Sequence, residues 1–130
     1  MAGLDKLEGL DPDFRVKAER VLYDLASSGR KLRIIFGLRD KATNDDLVDQ
    51  GLATRDSKHL DGKALDVIDR SIGYANAFGS TEQSHTTWNN AIRDAAAAYG
   101  LAWGGDFYRY NTHTRKWEGR WDPNHVQAGP

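Results

Sequence analysis

Two short stretches carry residues whose types and spacing suit hydrolytic chemistry. The first runs Ser57-Lys-His59-Leu-Asp61-Gly62-Lys-Ala64-Leu-Asp66, with a histidine and a carboxylate near its ends. Asp-Gly favours a type I′ hairpin turn, which needs positive φ at both central residues. With Asp61-Gly62 as that turn, His59 faces Ala64 and Ser57 faces Asp66, and all four side chains share one side of the ribbon. His59 and Asp66 are then diagonal neighbours, about 7–8 Å apart at the backbone, close enough for one metal ion to bridge. A wider loop reaches the same end. The second stretch is Asp122-Pro123-Asn124-His125. Asp, Pro and Asn suit the first three positions of a type I turn, which brings the first and fourth residues within about 7 Å.

Together the stretches offer two imidazoles and two carboxylates. A catalytic zinc site takes three protein ligands and keeps a fourth position open. His59, Asp66 and His125 supply the three, and Asp122 is left as a general base for the attack of water on an amide carbonyl. Standing alone, His125 reads as a surface histidine and Asp66 as a strand end; it is the combination that points to a metal. His85 and His113 have no carboxylate at a telling spacing and read as surface residues. No Gly-x-Ser-x-Gly elbow and no His-Glu-x-x-His helix occurs, so serine-hydrolase and zincin chemistry are set aside. The chain has no cysteine, which excludes thiolate nucleophiles and disulfides.

The elements that must position these residues follow from periodicity. Asp11-Pro12 opens a helix whose stripe is Phe14, Ala18, Val21, Leu22 and Leu25, ended by Ser27-Ser28-Gly29. Lys31 to Phe36 alternates as a strand. Arg39 follows it directly. Composition alone makes Arg39 a solvated charge, whereas its place after a strand lets it reach a cleft. Thr43 or Asn44 is expected to cap a short helix towards Gln50, stopped by Gly51. Ala64 to Ile68 reads as a strand, and Arg70 to Gln83 as a surface loop. Ser84 or Thr86 is expected to cap a helix with Trp88, Ile92, Ala95, Ala96 and Tyr99 on its buried face, ended by Gly100. Leu101 to Trp103 is a short strand and Gly104-Gly105 a turn. Phe107 to Trp121 interleaves aromatic and basic residues, with Asn111 to Arg115 as a hairpin tip. Such interleaving can serve single-stranded nucleic acid; the favoured reading is an amphipathic strand pair packing its rings inward.

At 130 residues, with 39% hydrophobic and 28% charged residues, the chain reads as one domain over 1–130. A formal charge of −1 argues against a polyanion-binding protein. The N-terminus lacks the pattern of a signal peptide, and no apolar run approaches the ~20 residues that span a bilayer. A soluble chain made in the cytoplasm is expected, with nothing that calls for more than a monomer.

The two stretches resemble the LAS-type zinc peptidases, whose signature is Ser-x-His-x-x-Gly-x-Ala-x-Asp followed by an acidic residue, two others and His. Ser57, His59, Gly62, Ala64, Asp66, Asp122 and His125 match it. The first five, at roughly one in fifteen each, would coincide by chance about once per million start sites. Arg39, Leu47, Gly51, Trp88 and Trp103-Gly104-Gly105-Asp106 extend the likeness to the VanY-like and L-alanyl-D-glutamate peptidase branch, which includes compact phage endolysins. Asn44 stands where that branch has Gln, Thr43 where it has Glu and Phe107 where it has Trp, and the connection from Asp106 to Asp122 is longer. The resemblance implies an α+β fold with a small, mainly antiparallel sheet flanked by helices, and one catalytic Zn2+ held by His59, Asp66 and His125. It implies Asp122 as base, Arg39 stabilising the oxyanion or clamping a substrate carboxylate, and Ser57 and Asn44 as substrate-binding or supporting residues. The expected substrate is the peptidoglycan stem peptide, cut between L-Ala and D-Glu. The alternatives are a D,D-carboxypeptidase of the same fold and a non-catalytic cell-wall or nucleic-acid binding domain. A phage endolysin acting on the cell wall, released by a holin, is the expected setting. Removing the last dozen residues is expected to abolish catalysis even where the core folds.

Overall fold

The computed structural model describes residues 1–72 and 86–129. Helix α1 (Pro12–Ser27) starts where Asp11 accepts a hydrogen bond from the Phe14 N–H at 3.1 Å, and its expected stripe is buried in full. Strand β1 (Leu32–Phe36) follows, then helix α2 (Lys41–Asp49). The cap of α2 is Asp40, not Thr43 or Asn44: its carboxylate accepts from the Thr43 N–H at 2.7 Å. A carboxylate at the positive end of a helix outdoes a neutral cap, and Asn44 is drawn inside for another purpose.

The Ser57–Asp66 stretch is not a two-residue hairpin. Lys58–Asp61 forms one 3-10 turn, leading to β2 (Ala64–Asp69). The Ser57 hydroxyl accepts from the His59 N–H at 3.2 Å, and the N–H groups of Gly62 and Lys63 bond back to His59 and Lys58. The backbone is thus satisfied within the turn, leaving no ladder between its arms. Gly62 alone takes positive φ, at 67°, and a Cβ there would press on the Gly9 carbonyl oxygen at 2.8 Å.

The expected loop after Arg70 lies, beyond Ile72, outside the described residues, as do Ser84 and His85. Helix α3 (Thr86–Ala98) ends before Gly100, and β3 (Leu101–Trp103) follows. Gly104-Gly105, expected as a turn, opens a 3-10 turn over Gly104–Phe107. Strands β4 (Tyr108–Asn111) and β5 (Lys116–Gly119) form the expected hairpin, a separate two-stranded sheet. Its rings do not pack inward: Tyr110 and Trp117 are 49% and 61% exposed. Alternation put the rings on one face correctly, but nothing in the described fold covers that face.

Strand β6 (His125–Ala128) completes a four-stranded antiparallel sheet in the order β1-β2-β6-β3. Helices α1 and α3 pack with it around Phe14, Leu22, Leu65, Val67, Trp88, Ile92 and Val126. Each such fully buried side chain contributes roughly 1.5–3 kcal/mol. All six residues of β2 are buried, since Leu65 and Val67 join this core while the Lys58–Asp61 turn lies against the strand. No helix of the described residues is long and apolar enough to cross a membrane.

Candidate metal centre

Asp66 sits mid-strand in β2, paired with Phe36 of β1 on one side and His125 of β6 on the other. Directly paired residues share a face. His125 therefore meets Asp66 by register, Nδ1 standing 2.8 Å from Oδ1. His59 comes from the 3-10 turn instead, with Nε2 3.1 Å from Asp66 Oδ2. Its Nδ1 is 2.8 Å from the Gly37 carbonyl oxygen, which can only accept. That bond places the proton on Nδ1 and leaves the Nε2 lone pair facing the centre. His125 is fixed in the opposite sense: Nε2 donates to Gln127 Oε1 at 2.9 Å, leaving Nδ1 for the centre.

The three side chains offer ligand atoms that all lie within 4.8 Å of one another, and all three are buried. His59 Nε2 is buried without a hydrogen-bond partner despite its approach to Asp66. Ligand atoms about 2.0–2.2 Å from one tetrahedral ion stand roughly 3.3–3.6 Å apart. The gaps of 3.1 and 2.8 Å run to the two oxygens of Asp66, and with all three ligand atoms within 4.8 Å of one another the set lies within small side-chain shifts of that geometry. Two imidazoles with their far nitrogens tied down, converging on one carboxylate, are a donor set that fits Zn2+.

Burial would raise the Asp66 carboxyl, but the facing His59 and the hydrogen bond with His125 outweigh it and hold the group below the ordinary carboxylate range. Burial would likewise lower His125, and the hydrogen bond and charge of Asp66 overcome this to raise it to about 9. In the metal-free chain the pair is an imidazolium–carboxylate contact.

Asp122 stands beside this set without joining it, Oδ2 3.7 Å from His125 Nδ1. The expected turn is present, closed by the His125 N–H on the Asp122 carbonyl at 3.2 Å. Asp122 also donates its own N–H to the Gly104 carbonyl, and a Cβ on Gly104 would collide with the Asp122 carbonyl oxygen. Only glycine lets the two segments meet so closely. Burial, reinforced by the charge of Asp66, raises the Asp122 carboxyl to about 6, against the pull of His125, Arg120 and His59.

Arg39 is not a solvated surface charge. It is 7% exposed, its Nη2 is 3.8 Å from Asp66 Oδ2, and its guanidinium lies over the Phe36 ring at 4.4 Å. Its Nη1 donates to Asn44 Oδ1 at 3.0 Å, and Asn44 in turn donates to the Thr54 carbonyl. Burial lowers the Arg39 pKa, with Asp66 and Asp122 opposing; from so high a starting value the group stays charged. Asn44, 1% exposed and absent from the cleft wall, touches Arg39 and not the opening. Ser57 caps the turn that carries His59.

The cleft over the centre measures about 250 Å³, with Arg39, Thr54, Ser57, Phe107 and Arg120 among its walls. Sequence reasoning missed two of its parts, Gln127 and Arg120, and met the third, Phe107, only as a departure from the Trp of the resembled branch. Gln127 shares the face of His125 two residues on, a signal that strand alternation carries. Arg120 closes the cleft by donating to the Leu52 carbonyl, and Phe107 sets its ring edge against His125 at 5.7 Å. Neither contact is written in local spacing.

No family model matches the chain, and no curated protein does. Solved structures do. ChiX, an L-Ala–D-Glu endopeptidase of Serratia marcescens, is 26% identical over 95% of this chain and 84% of its own, with a TM-score of 0.62. The vancomycin-resistance D,D-pentapeptidase VanY from a VanB-type cassette, solved in complex with Zn(II), is 13% identical over 100% of this chain and 80% of its own, also at 0.62. DacB, an L,D-carboxypeptidase from Streptococcus pneumonia, is 21% identical over 95% and 68%, at 0.54. The small antiparallel sheet, its flanking helices and these neighbours agree: the chain has the fold of the VanY-like LAS zinc peptidases.

Proposed function

We propose that this chain is a zinc-dependent peptidoglycan endopeptidase, a single peptidase domain that cuts the stem peptide between L-Ala and D-Glu. The observation that carries the reading is the convergence of His59 Nε2, an Asp66 oxygen and His125 Nδ1 on one point, with Asp122 held just outside the set. Likeness to an L-Ala–D-Glu endopeptidase, a D,D-pentapeptidase and an L,D-carboxypeptidase supports the substrate class, and ChiX, the most identical of the three, supports the bond. Released onto a wall, as a holin releases an endolysin, such an enzyme would lyse it.

A Zn2+ held by His59, Asp66 and His125 supplies Lewis acidity and brings the pKa of water to about 7. The chain's own groups do the rest. Asp122, ionised above about pH 6 and more basic than an ordinary Asp, takes the proton of the attacking water and returns it to the leaving amine. Arg39, held by Asn44 and Phe36, presents a fixed positive charge to the carbonyl oxygen as that oxygen gains negative charge. Gly37 and Gln127 keep the imidazoles from rotating.

Mass spectrometry of digested peptidoglycan tests the bond. Endopeptidase cutting frees peptides that begin at D-Glu and leaves L-Ala on the glycan. Release of D-Ala alone would replace the proposal with carboxypeptidase action, the activity of DacB.

A further inference from the structure

The β4–β5 hairpin is built in a way that the chemistry of the centre does not need. Tyr110 pairs directly with Trp117, and Tyr108 with Gly119, so three rings share one face. Tyr108 stacks on Trp117 at 5.0 Å and 18°, and Tyr110 meets the same indole edge-on at 5.5 Å. The charged and amide side chains Arg109, Asn111, Lys116 and Glu118 alternate onto the opposite face. The tip is tied by the Asn111 amide on Glu118 at 2.8 Å, by Thr114 on the same carboxylate at 2.7 Å, and by the Arg115 N–H on the Asn111 carbonyl. This is a braced platform with its apolar face turned to solvent. An exposed aromatic patch of this kind marks a contact surface.

Both roots of the hairpin lie in the cleft. It departs from Phe107, whose ring touches His125, and returns at Arg120 and Asp122. The platform is therefore continuous with the wall that would hold a stem peptide. In peptidoglycan the L-Ala nitrogen is joined through a lactyl group to an amino sugar. A scissile bond on the far side of L-Ala puts that sugar about two residues' length, roughly 7 Å, from the centre, counting L-Ala and the lactyl group. Tyr110 and Trp117 stand three or so residues out along the strands, roughly 10 Å. The glycan in question is uncharged where its lactyl carboxyl is amidated, and its pyranose faces present C–H bonds. Such faces suit the negative face of an aromatic quadrupole and make no use of the basic groups behind it.

We propose that the Tyr108–Tyr110–Trp117 face is a subsite for the amino-sugar strand of the same substrate, a second point of attachment beside the peptide cleft. It rests on the endopeptidase reading for its placement, yet the binding arm of its test does not depend on cleavage. The zinc-loaded protein is titrated calorimetrically with uncharged oligomers of N-acetylglucosamine, alongside the variants Trp117→Ala and Tyr110→Ala. Hydrolysis of one stem peptide is then measured with and without its attached sugars. The expected result is saturable glycan binding that both substitutions weaken. On the glycan-linked substrate, KM should rise about three- to tenfold with kcat unchanged, the size of one lost aromatic contact. Cleavage of the free peptide should stay as in the unsubstituted chain, which also shows that the variants fold.

Equal losses on both substrates would make the hairpin a structural wall and overturn the subsite. So would glycan binding that is absent or indifferent to both substitutions. Binding of a single-stranded oligonucleotide that Arg109→Gln and Lys116→Gln abolish, with none of glycan, would overturn it in favour of a polyanion. A zinc-loaded chain that binds glycan through Trp117 but cuts neither peptide would refute the peptidase reading and leave the subsite standing.

Discussion

The pair Asp66–His125 and the pair Tyr110–Trp117 are both direct cross-strand neighbours in antiparallel sheets, and they are put to opposite uses. The first joins strands 59 residues apart in the middle of the four-stranded sheet, with both side chains buried. Its polar atoms have no water to fall back on, so each is answered by a named partner: His59, Gln127 and Arg39 surround the carboxylate and the imidazole. The second joins strands seven residues apart at the surface, and its rings answer chiefly to one another. The contrast teaches that identical pairing geometry yields a rigid chemical centre only where burial sets polar groups against one another, here with His59 Nε2 and Arg39 Nε left unpartnered. Substitutions at the centre should propagate through several partners, whereas substitutions in the hairpin should stay local.

The largest effect should come from the ligands. His59→Ala, Asp66→Ala or His125→Ala should take bound zinc from one per chain to none and hydrolysis to background, with the near-ultraviolet circular dichroism of the stacked hairpin rings unchanged. A variant that keeps its zinc and its rate would break the assignment. Asp122→Asn comes next: kcat should fall about 10²–10⁴-fold with zinc retained, since the residue moves a proton and holds no metal. Zinc loss in that variant would make Asp122 a ligand instead. In the unsubstituted metal-free chain Asp122 should titrate near pH 6, and because a bound Zn2+ would favour its carboxylate, the acid limb of activity should lie below that value.

Gln127→Ala should be milder, about 10- to 100-fold in zinc affinity, because it frees the far nitrogen of His125 without removing a ligand. The metal-free protein gives a second view of His125. Its pKa is raised to about 9 on folding from about 6.5, so the stability it contributes is complete below pH 6.5 and is lost as pH climbs through 9. Melting of the metal-free chain across that window should show Tm falling, while zinc affinity over the same rise should grow as His125 gives up its proton. At the small end, Trp117→Ala should shift global stability by only about 0.5 kcal/mol or less, as an exposed surface change. A loss comparable to a core substitution would mean that the hairpin is part of the core after all.

The elements legible in the sequence were those whose signal is local. The stripe of α1, the alternation of β1, the existence of the hairpin and the Asp122–His125 turn are each fixed by neighbours within a few residues, although Asn111, expected in the hairpin tip, pairs with Lys116. The grouping of His59, Asp66 and His125 was also legible, because the two stretches taken together supply a donor set that could hold a metal ion. What stayed hidden depends on distant packing. Asp61-Gly62 suits a hairpin turn and a glycine-ended 3-10 turn alike. The Ser57 cap and the Asp11 N–H bonding the Gly62 carbonyl decide for the latter. Which face of the hairpin would be covered could not be read from which residues share it. Nor could the place of β6. It lies between β2 and β3 and buries Val126 completely, so deleting the last dozen residues removes a central strand and the core with it.

The account turns on a metal held by His59, Asp66 and His125. The most direct measurement is zinc content together with stem-peptide hydrolysis, before chelation, after it and after zinc is restored. One zinc per chain, activity lost on chelation and regained on restoration, is the expected result. Undiminished hydrolysis by protein shown to hold no metal would contradict it.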